Sequence, residues 1–275
     1  MARVTYVGVN DKARKVKSMY IGVNDKARKI VKAYVGVNSV ARIFYTADWW
    51  VPYGLNESNC IAAWQFYHSW DPSADISGHN NNLLSVGNGN SHSYDNGWYL
   101  GGQLYSNLMN TGVSPVTAVF WYSALQNASD DSYTGGRWFH VEGNNADMAG
   151  RIGIINRFVN GAWINDSSMK NRPGFCMTYG NNSLTGWVGN SDLPVSGVVA
   201  FDRTYPNIYI NGNSIGVTYF SLVAESINNM SIATKVGYAT IGAGLDCYIK
   251  AAAFFNCRLS SNQHYDIAKM ITEIK

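Results

Sequence analysis

The chain has 275 residues, 46% of them hydrophobic and only 14% charged, against roughly 25% charged in ordinary soluble domains. That length admits one large domain plus an appendage. Gly, Asn, Ser and Tyr fill the charge deficit, which favours an all-β protein rich in turns over a charged helical chain. The net charge of +3 conceals a split: residues 1–44 hold ten basic residues against two acids, a balance of +8, and the remainder holds eleven against sixteen, a balance of −5. The opening Met1-Ala2-Arg3-Val4 lacks the apolar stretch of a signal peptide, and no later run is long enough to span a membrane. Synthesis in a bacterial cytoplasm is therefore expected. Cys60, Cys176, Cys247 and Cys257 form no CxxC pair, so buried free thiols are expected rather than a metal cluster or a disulfide framework.

Residues 1–46 form a repeat arm. Tyr6-Val7-Gly8-Val9-Asn10, Tyr20-Ile21-Gly22-Val23-Asn24 and Tyr34-Val35-Gly36-Val37-Asn38 align without gaps at an offset of 14, each followed by an Ala-Arg pair. Within a copy, Tyr-Val-Gly-Val is a short β run with Val7 and Val9 on one face and Tyr6 on the other. Asn10-Asp11 and Asn24-Asp25 are turn formers, and the Lys/Arg-rich half is the candidate return strand. Each copy thus reads as one hairpin, and three make a short meander or stacked unit. A lone hairpin is marginal in water, so the Val face needs a burial partner: another copy, the body, a second subunit or a larger assembly.

Residues 47–59 contain Trp49-Trp50, Pro52 and Gly54 and read as a junction. From residue 60 to 275, short apolar runs alternate with Gly/Asn/Ser clusters. Cys60–Phe66, Val116–Tyr122, Arg151–Ile155, Val198–Phe201, Ile208–Ile210 and Tyr248–Phe255 are the clearest strands, the pattern of a sandwich or barrel. Asn211-Gly212 marks a tight hairpin turn. Only the end looks helical: Ser260-Ser261 can cap a helix that places Ile267, Met270, Ile271 and Ile274 on one face. The stretch 133–190, rich in Trp, Gly and Asn, reads as elaborated loops.

Four ordered landmarks give the body a family resemblance. They are Ile61–Phe66 followed by Asp75-Ile76-Ser77-Gly78-His79-Asn80; Val116–Tyr122; Val198–Arg203 running into Asn207–Gly212; and Ala239–Gly242 followed by Ile249–Phe255 and Arg258-Leu259-Ser260. Together they resemble the concanavalin A-like, laminin G-like jelly-roll family, which implies an all-β jelly-roll sandwich with a short C-terminal helix. The arm is similar to tandem repeats of phage and prophage structural proteins, which implies a place on a particle.

Hydrolytic members of that superfamily carry carboxylates at alternating positions of one strand, where one attacks and another protonates. This sequence has no two acids at i and i+2, which weighs against an enzyme. Gly212-Asn213-Ser214-Ile215-Gly216 matches a nucleophile-elbow pattern, but it falls in a predicted hairpin rather than a strand-to-helix turn. His68, His79 and His92 are scattered among loops. Calcium takes carboxylate and carbonyl oxygens, and Asp75 is the one weak candidate ligand; otherwise no cofactor is expected. Glycan sites combine an aromatic platform with a few polar groups, and Trp138, Trp163, Asn165, Trp187 and Trp98 supply both. Trp64 and Trp121, inside predicted strands, are core.

The resulting expectation is a non-enzymatic virion-associated protein, a tail or capsid fibre component. Its arm would bind other virion proteins through Tyr6, Gly8, Asn10, Tyr20, Gly22, Asn24, Tyr34, Gly36 and Asn38. Its lectin-like body would bind host-surface or mucosal glycans. A homo-oligomer, such as a trimer, suits the arm, and no specific nucleic-acid partner is implied. A decoration protein without glycan binding and a glycan hydrolase with an unrecognised site are the alternatives.

Overall fold

The computed structural model describes backbone and side chains for residues 48–52, 54–83, 92–99, 116–125, 172–175, 186–219 and 247–274. It describes backbone alone for strand residues 6–9, 12–15, 20–23, 26–29, 32–37, 40–46, 84–86, 91, 103–106, 137–141, 150–154, 158–159, 162–163, 176–179, 183–185, 220–223 and 239–243. Among the described residues, no helix is long and apolar enough to cross a membrane.

Each repeat copy closes on itself. β1 (Tyr6–Val9) pairs β2 (Lys12–Lys15), β3 (Tyr20–Val23) pairs β4 (Lys26–Lys29), and β5 (Lys32–Val37) pairs β6 (Val40–Thr46). The three hairpins are separate two-stranded sheets, so the described strands do not join into the expected meander. The turn formers Asn10-Asp11 and Asn24-Asp25, and Asn38, lie outside the described residues. The register shows what stands opposite the expected Val face. Val7 sits opposite Arg14 and Val9 opposite Lys12, and residues directly opposite share a face. Basic residues therefore stand opposite Val7 and Val9 in the first copy and opposite Ile21 and Val23 in the second. In the third copy Val40 stands opposite Val37 and Ile43 opposite Tyr34.

The body strands, in chain order, begin with β7 (Cys60–Gln65), β8 (Leu83–Val86), β9 (Ser91–Ser93), β10 (Gly97–Tyr99), β11 (Gln103–Ser106) and β12 (Thr117–Ser123). Next come β13 (Arg137–Val141), β14 (Gly150–Ile154), β15 (Phe158–Val159), β16 (Ala162–Trp163), β17 (Pro173–Tyr179) and β18 (Ser183–Gly189). The last are β19 (Gly197–Asp202), β20 (Asn207–Ile210), β21 (Asn213–Ser214), β22 (Val217–Val223), β23 (Ala239–Ala243) and β24 (Tyr248–Phe255), followed by helix α1 (Ser261–Thr272).

These strands build an all-β sandwich. The front sheet runs β21-β20-β19-β12-β24-β10-β9, with β7 also paired to β24. The back sheet runs β22-β18-β17-β14-β13-β23-β11-β8. Its centre corrects the reading of 133–190 as loops: β13, β14, β17 and β18 are paired strands. β14 meets the expected strand Arg151–Ile155, while β13, β17 and β18 become strands through pairing with their neighbours.

The front sheet is buried on both faces, which explains its near-continuous apolar strands. Ala118, Phe120 and Tyr122 of β12 enter the core between the sheets with Trp64, Phe66, Phe201, Phe254 and Phe175. Val119 and Trp121 alternate to the outer face, with Ala63, Ala200, Tyr209 and Ala253. There Ile267, Ala268, Met270 and Ile271 of α1 cover them, together with Trp49. The segment read as a junction is thus packed into the body, with Trp49 and Val51 both buried. The helix starts where expected: Ser260 and Gln263 form a reciprocal capping box.

Candidate functional site

Two short strands share one edge of β24. β7 pairs residues 251–255 and β10 pairs residues 248–249. Lys250 lies between them as the extra residue of a bulge, since Trp121 faces Ala251 while Tyr122 faces Ile249. Bulges re-aim side chains and end pairing. The Lys250 carbonyl accepts from the N–H groups of both Phe66 (2.9 Å) and Tyr67 (3.0 Å), and the chain leaves the sheet at this point. Phe66 turns into the core, while Tyr67 packs on the outer face. His68 follows at φ +53°, a region His tolerates better than most residues, and its N–H donates to the Tyr94 carbonyl (2.7 Å).

The outcome is an aromatic ladder. Tyr67 and His68 stack at 3.8 Å, His68 and Tyr94 at 4.9 Å, and Tyr94 meets Trp70 at 4.7 Å. At the inner end the Lys250 ammonium lies 4.4 Å from the Tyr67 ring and 5.0 Å from Trp121, a cation–π cap. Burial lowers the pKa of that ammonium. At the outer end Trp70 is 80% exposed, the most open large hydrophobic side chain among the described residues.

Two exposed carboxylates neighbour the ladder in the chain, Asp71 next to Trp70 and Asp95 next to Tyr94. Asp71 Oδ1 accepts from the Ser73 hydroxyl (2.8 Å), and the Asp71 carbonyl accepts from the Ala74 N–H in a turn. Asp95 Oδ1 lies 3.5 Å from His68 Nε2. An exposed indole with carboxylates nearby in the chain can stack against the C–H face of a sugar while its hydroxyls find acceptors.

This site was not singled out from sequence. Its signal was there in Ser69-Trp70-Asp71-Pro72, a Trp among turn formers, with no strand phase to carry it into the core. The structure also relocates the expected residues. Trp98 is a correction: it is buried at 7% exposure and packs edge-on against Phe66, because β10 directs it between the sheets. Trp187 is half-buried, stacked on core Phe175 (5.2 Å) and facing exposed Tyr219 (5.7 Å) in the back sheet. Trp138 falls at the register shift of β13, and Trp163 pairs with Phe158 in the β15–β16 ribbon; only their backbones are described. Asn165 lies outside the described residues.

Asp75, weighed as a calcium ligand, is a loop clip. Its Oδ1 accepts from Ala63 N (3.0 Å), Ser77 N (2.9 Å) and Ser77 Oγ (2.7 Å), and its Oδ2 from Asn81 N (2.9 Å). Most of its acceptor capacity goes to the protein's own donors. No three His, Cys, Asp or Glu gather as a metal-binding group among the described residues. Ser214 sits on the short strand β21, where its hydroxyl bonds the Asn207 side chain. The buried carboxylate Asp202 accepts from Thr117, lies 3.2 Å from His264 Nε2 and 3.6 Å from Arg258 Nε, and ties α1 to the sheet.

No family model matches the chain, and no similar curated protein was found. Among solved structures, the fold is similar to the botulinum neurotoxin serotype C1 binding domain, at TM-score 0.48 and 11% identity over 78% of this chain and 52% of that one. It is similar to domain 4 of the arabinanase AbnA from Geobacillus stearothermophilus in complex with arabinotriose, at TM-score 0.45 and 14% identity over 76% of this chain and 98% of that one. It is also similar to Trypanosoma rangeli sialidase, at TM-score 0.38 and 12% identity over 93% of this chain and 44% of that one. The chain spans about half the length of the toxin chain and less than half of the sialidase chain. At these scores the likenesses carry no ligand or activity over to this chain. Fold and site together define an all-β sandwich, covered on one face by a helix, with an open aromatic ladder at a strand joint.

Proposed function

We propose that this protein is a non-enzymatic, carbohydrate-binding component of a phage particle. The body holds a host-surface or mucosal glycan on the Trp70 ladder, and the repeat arm docks it to other virion proteins. The carrying observation is Trp70, 80% exposed at the end of a stack anchored by a bulge in the sheet. An indole left in water has a cost that a sugar face would relieve. The arm supports docking through its physics: each hairpin is its own two-stranded sheet, a unit too small to be stable alone. Copies joined through their arms would raise the strength of weak single sites.

A glycan array with the full chain and Trp70→Ala tests the site. The wild type binds a defined set of glycans, and the variant loses at least about tenfold in affinity, or 1.4 kcal/mol. Wild-type binding to no glycan, or equal binding by the variant, overturns the reading. Release of reducing sugar from a bound polysaccharide overturns its non-enzymatic part.

A further inference from the structure

We infer that the Trp70 platform selects sugars that bring hydrogen-bond donors, neutral or amino-bearing, and rejects those carrying carboxylates. The inference rests on the carbohydrate-binding reading of this ladder and adds the chemical class of its ligand.

Asp71 follows Trp70 in the chain, and Asp95 follows Tyr94, the ring that Trp70 meets. Each carboxylate is held by one oxygen only. Asp71 uses Oδ1 for the Ser73 hydroxyl and Asp95 uses Oδ1 for His68. Among the described residues Oδ2 of each has no partner, and Asp95 is 81% exposed. Two carboxylates close to Trp70 in the chain, with a free oxygen apiece, make its neighbourhood rich in acceptors. An ionised carboxylate only accepts, so the ligand must supply the donors.

Among the described residues, the cations of the ladder do not offset these carboxylates. The His68 ring is stacked between Tyr67 and Tyr94, and its Nε2 faces Asp95. The Lys250 ammonium covers the face of Tyr67 away from His68, at the other end of the stack. Charges separated by more than about 8 Å are largely screened at physiological ionic strength. A uronate or sialate on Trp70 would therefore meet two like charges and leave both free oxygens without donors. A hexose supplies hydroxyl donors, and a hexosamine with a free amine supplies an ammonium for a charge-assisted bond.

Calorimetric titration of the full chain with chitooligosaccharide, its deacetylated form and oligogalacturonate of equal length tests this directly. Affinity should fall in the order deacetylated, acetylated, uronate, with at least about tenfold between the first and last, or 1.4 kcal/mol. In the Asp71→Asn, Asp95→Asn double variant that gap should shrink to less than about threefold, because both charges are gone. Raising salt in the wild type should narrow it too. Uronate binding as tight as the amino form, or a gap the double variant leaves intact, overturns the charge selection. If none of the three binds and a broad glycan array is also blank, the platform reading itself fails. If an acidic glycan binds and Trp70→Ala abolishes it, the platform stands and only the selection falls.

Discussion

At the scale of single residues, the protein separates side chains that hold the fold from those that meet solvent. Asp75 holds: one carboxylate secures the strand residue Ala63 and the loop residues Ser77 and Asn81. Asp75→Ala should cost about 2–3 kcal/mol, because the Ala63 and Asn81 N–H groups lose a charged acceptor; a lowered urea midpoint at unchanged slope is the measurement. Gly212 holds too. Its φ is +83°, and a Cβ there would lie 2.6 Å from Tyr265 Cα, so Gly212→Ala combines strain with a backbone clash. A loss above about 2 kcal/mol by the same assay is expected. Trp70 meets solvent, so Trp70→Ala should leave stability within about 0.5 kcal/mol while weakening glycan binding.

At the scale of elements, the bulge in β24 and the cap on α1 do the positioning. Without the bulge at Lys250, the joint between β7 and β10 would have no shared carbonyl to receive Phe66 and Tyr67. The helix covers the outer face through its apolar stripe and through buried His264, which stacks on Tyr209 at 3.7 Å and faces Asp202. Asp202→Asn should destabilise by about 1–3 kcal/mol, since it removes a buried carboxylate that accepts from Thr117 and faces His264 and Arg258. Ser260→Ala should cost only about 1 kcal/mol, the usual worth of an N-cap. Thermal melts of both variants would rank the two contacts.

At the scale of the whole molecule, burial of the front sheet on both faces sets the response to pH. Burial pushes the Cys60 thiol and the Tyr122 hydroxyl up in the folded state. The unfolded chain then releases these protons at lower pH than the folded one, so stability is full below the ordinary thiol pKa of about 8.5 and falls as pH rises above it. Cys60→Ala should flatten that alkaline decline, read as urea midpoints from neutral to alkaline pH. Deleting residues 1–46 should convert an oligomer to a monomer by light scattering while the body's melting transition stays in place; an oligomer that survives the deletion rules out assembly through the arm.

The sequence by itself determined the repeat period, the apolar strands β7, β12, β19, β20 and β24, the Asn211-Gly212 turn and the capped helix. All of these rest on local rules, namely side-chain phase, turn chemistry and capping, which a few consecutive residues express. Only the tertiary structure decided the rest. It made strands β13, β17 and β18 in the Gly-rich stretch 133–190, beyond the expected Arg151–Ile155, where partners across the ladder supply what local propensity lacks. It put cations opposite valines in the arm, because register belongs to a strand pair rather than to one strand. It drew Trp98 inward and left Trp70 outward, although both stand beside turn-forming residues. The difference lies in contact: Trp98 stands on a strand facing the second sheet, whereas Trp70 stands where a bulge ends the sheet and the apolar surface available to cover it.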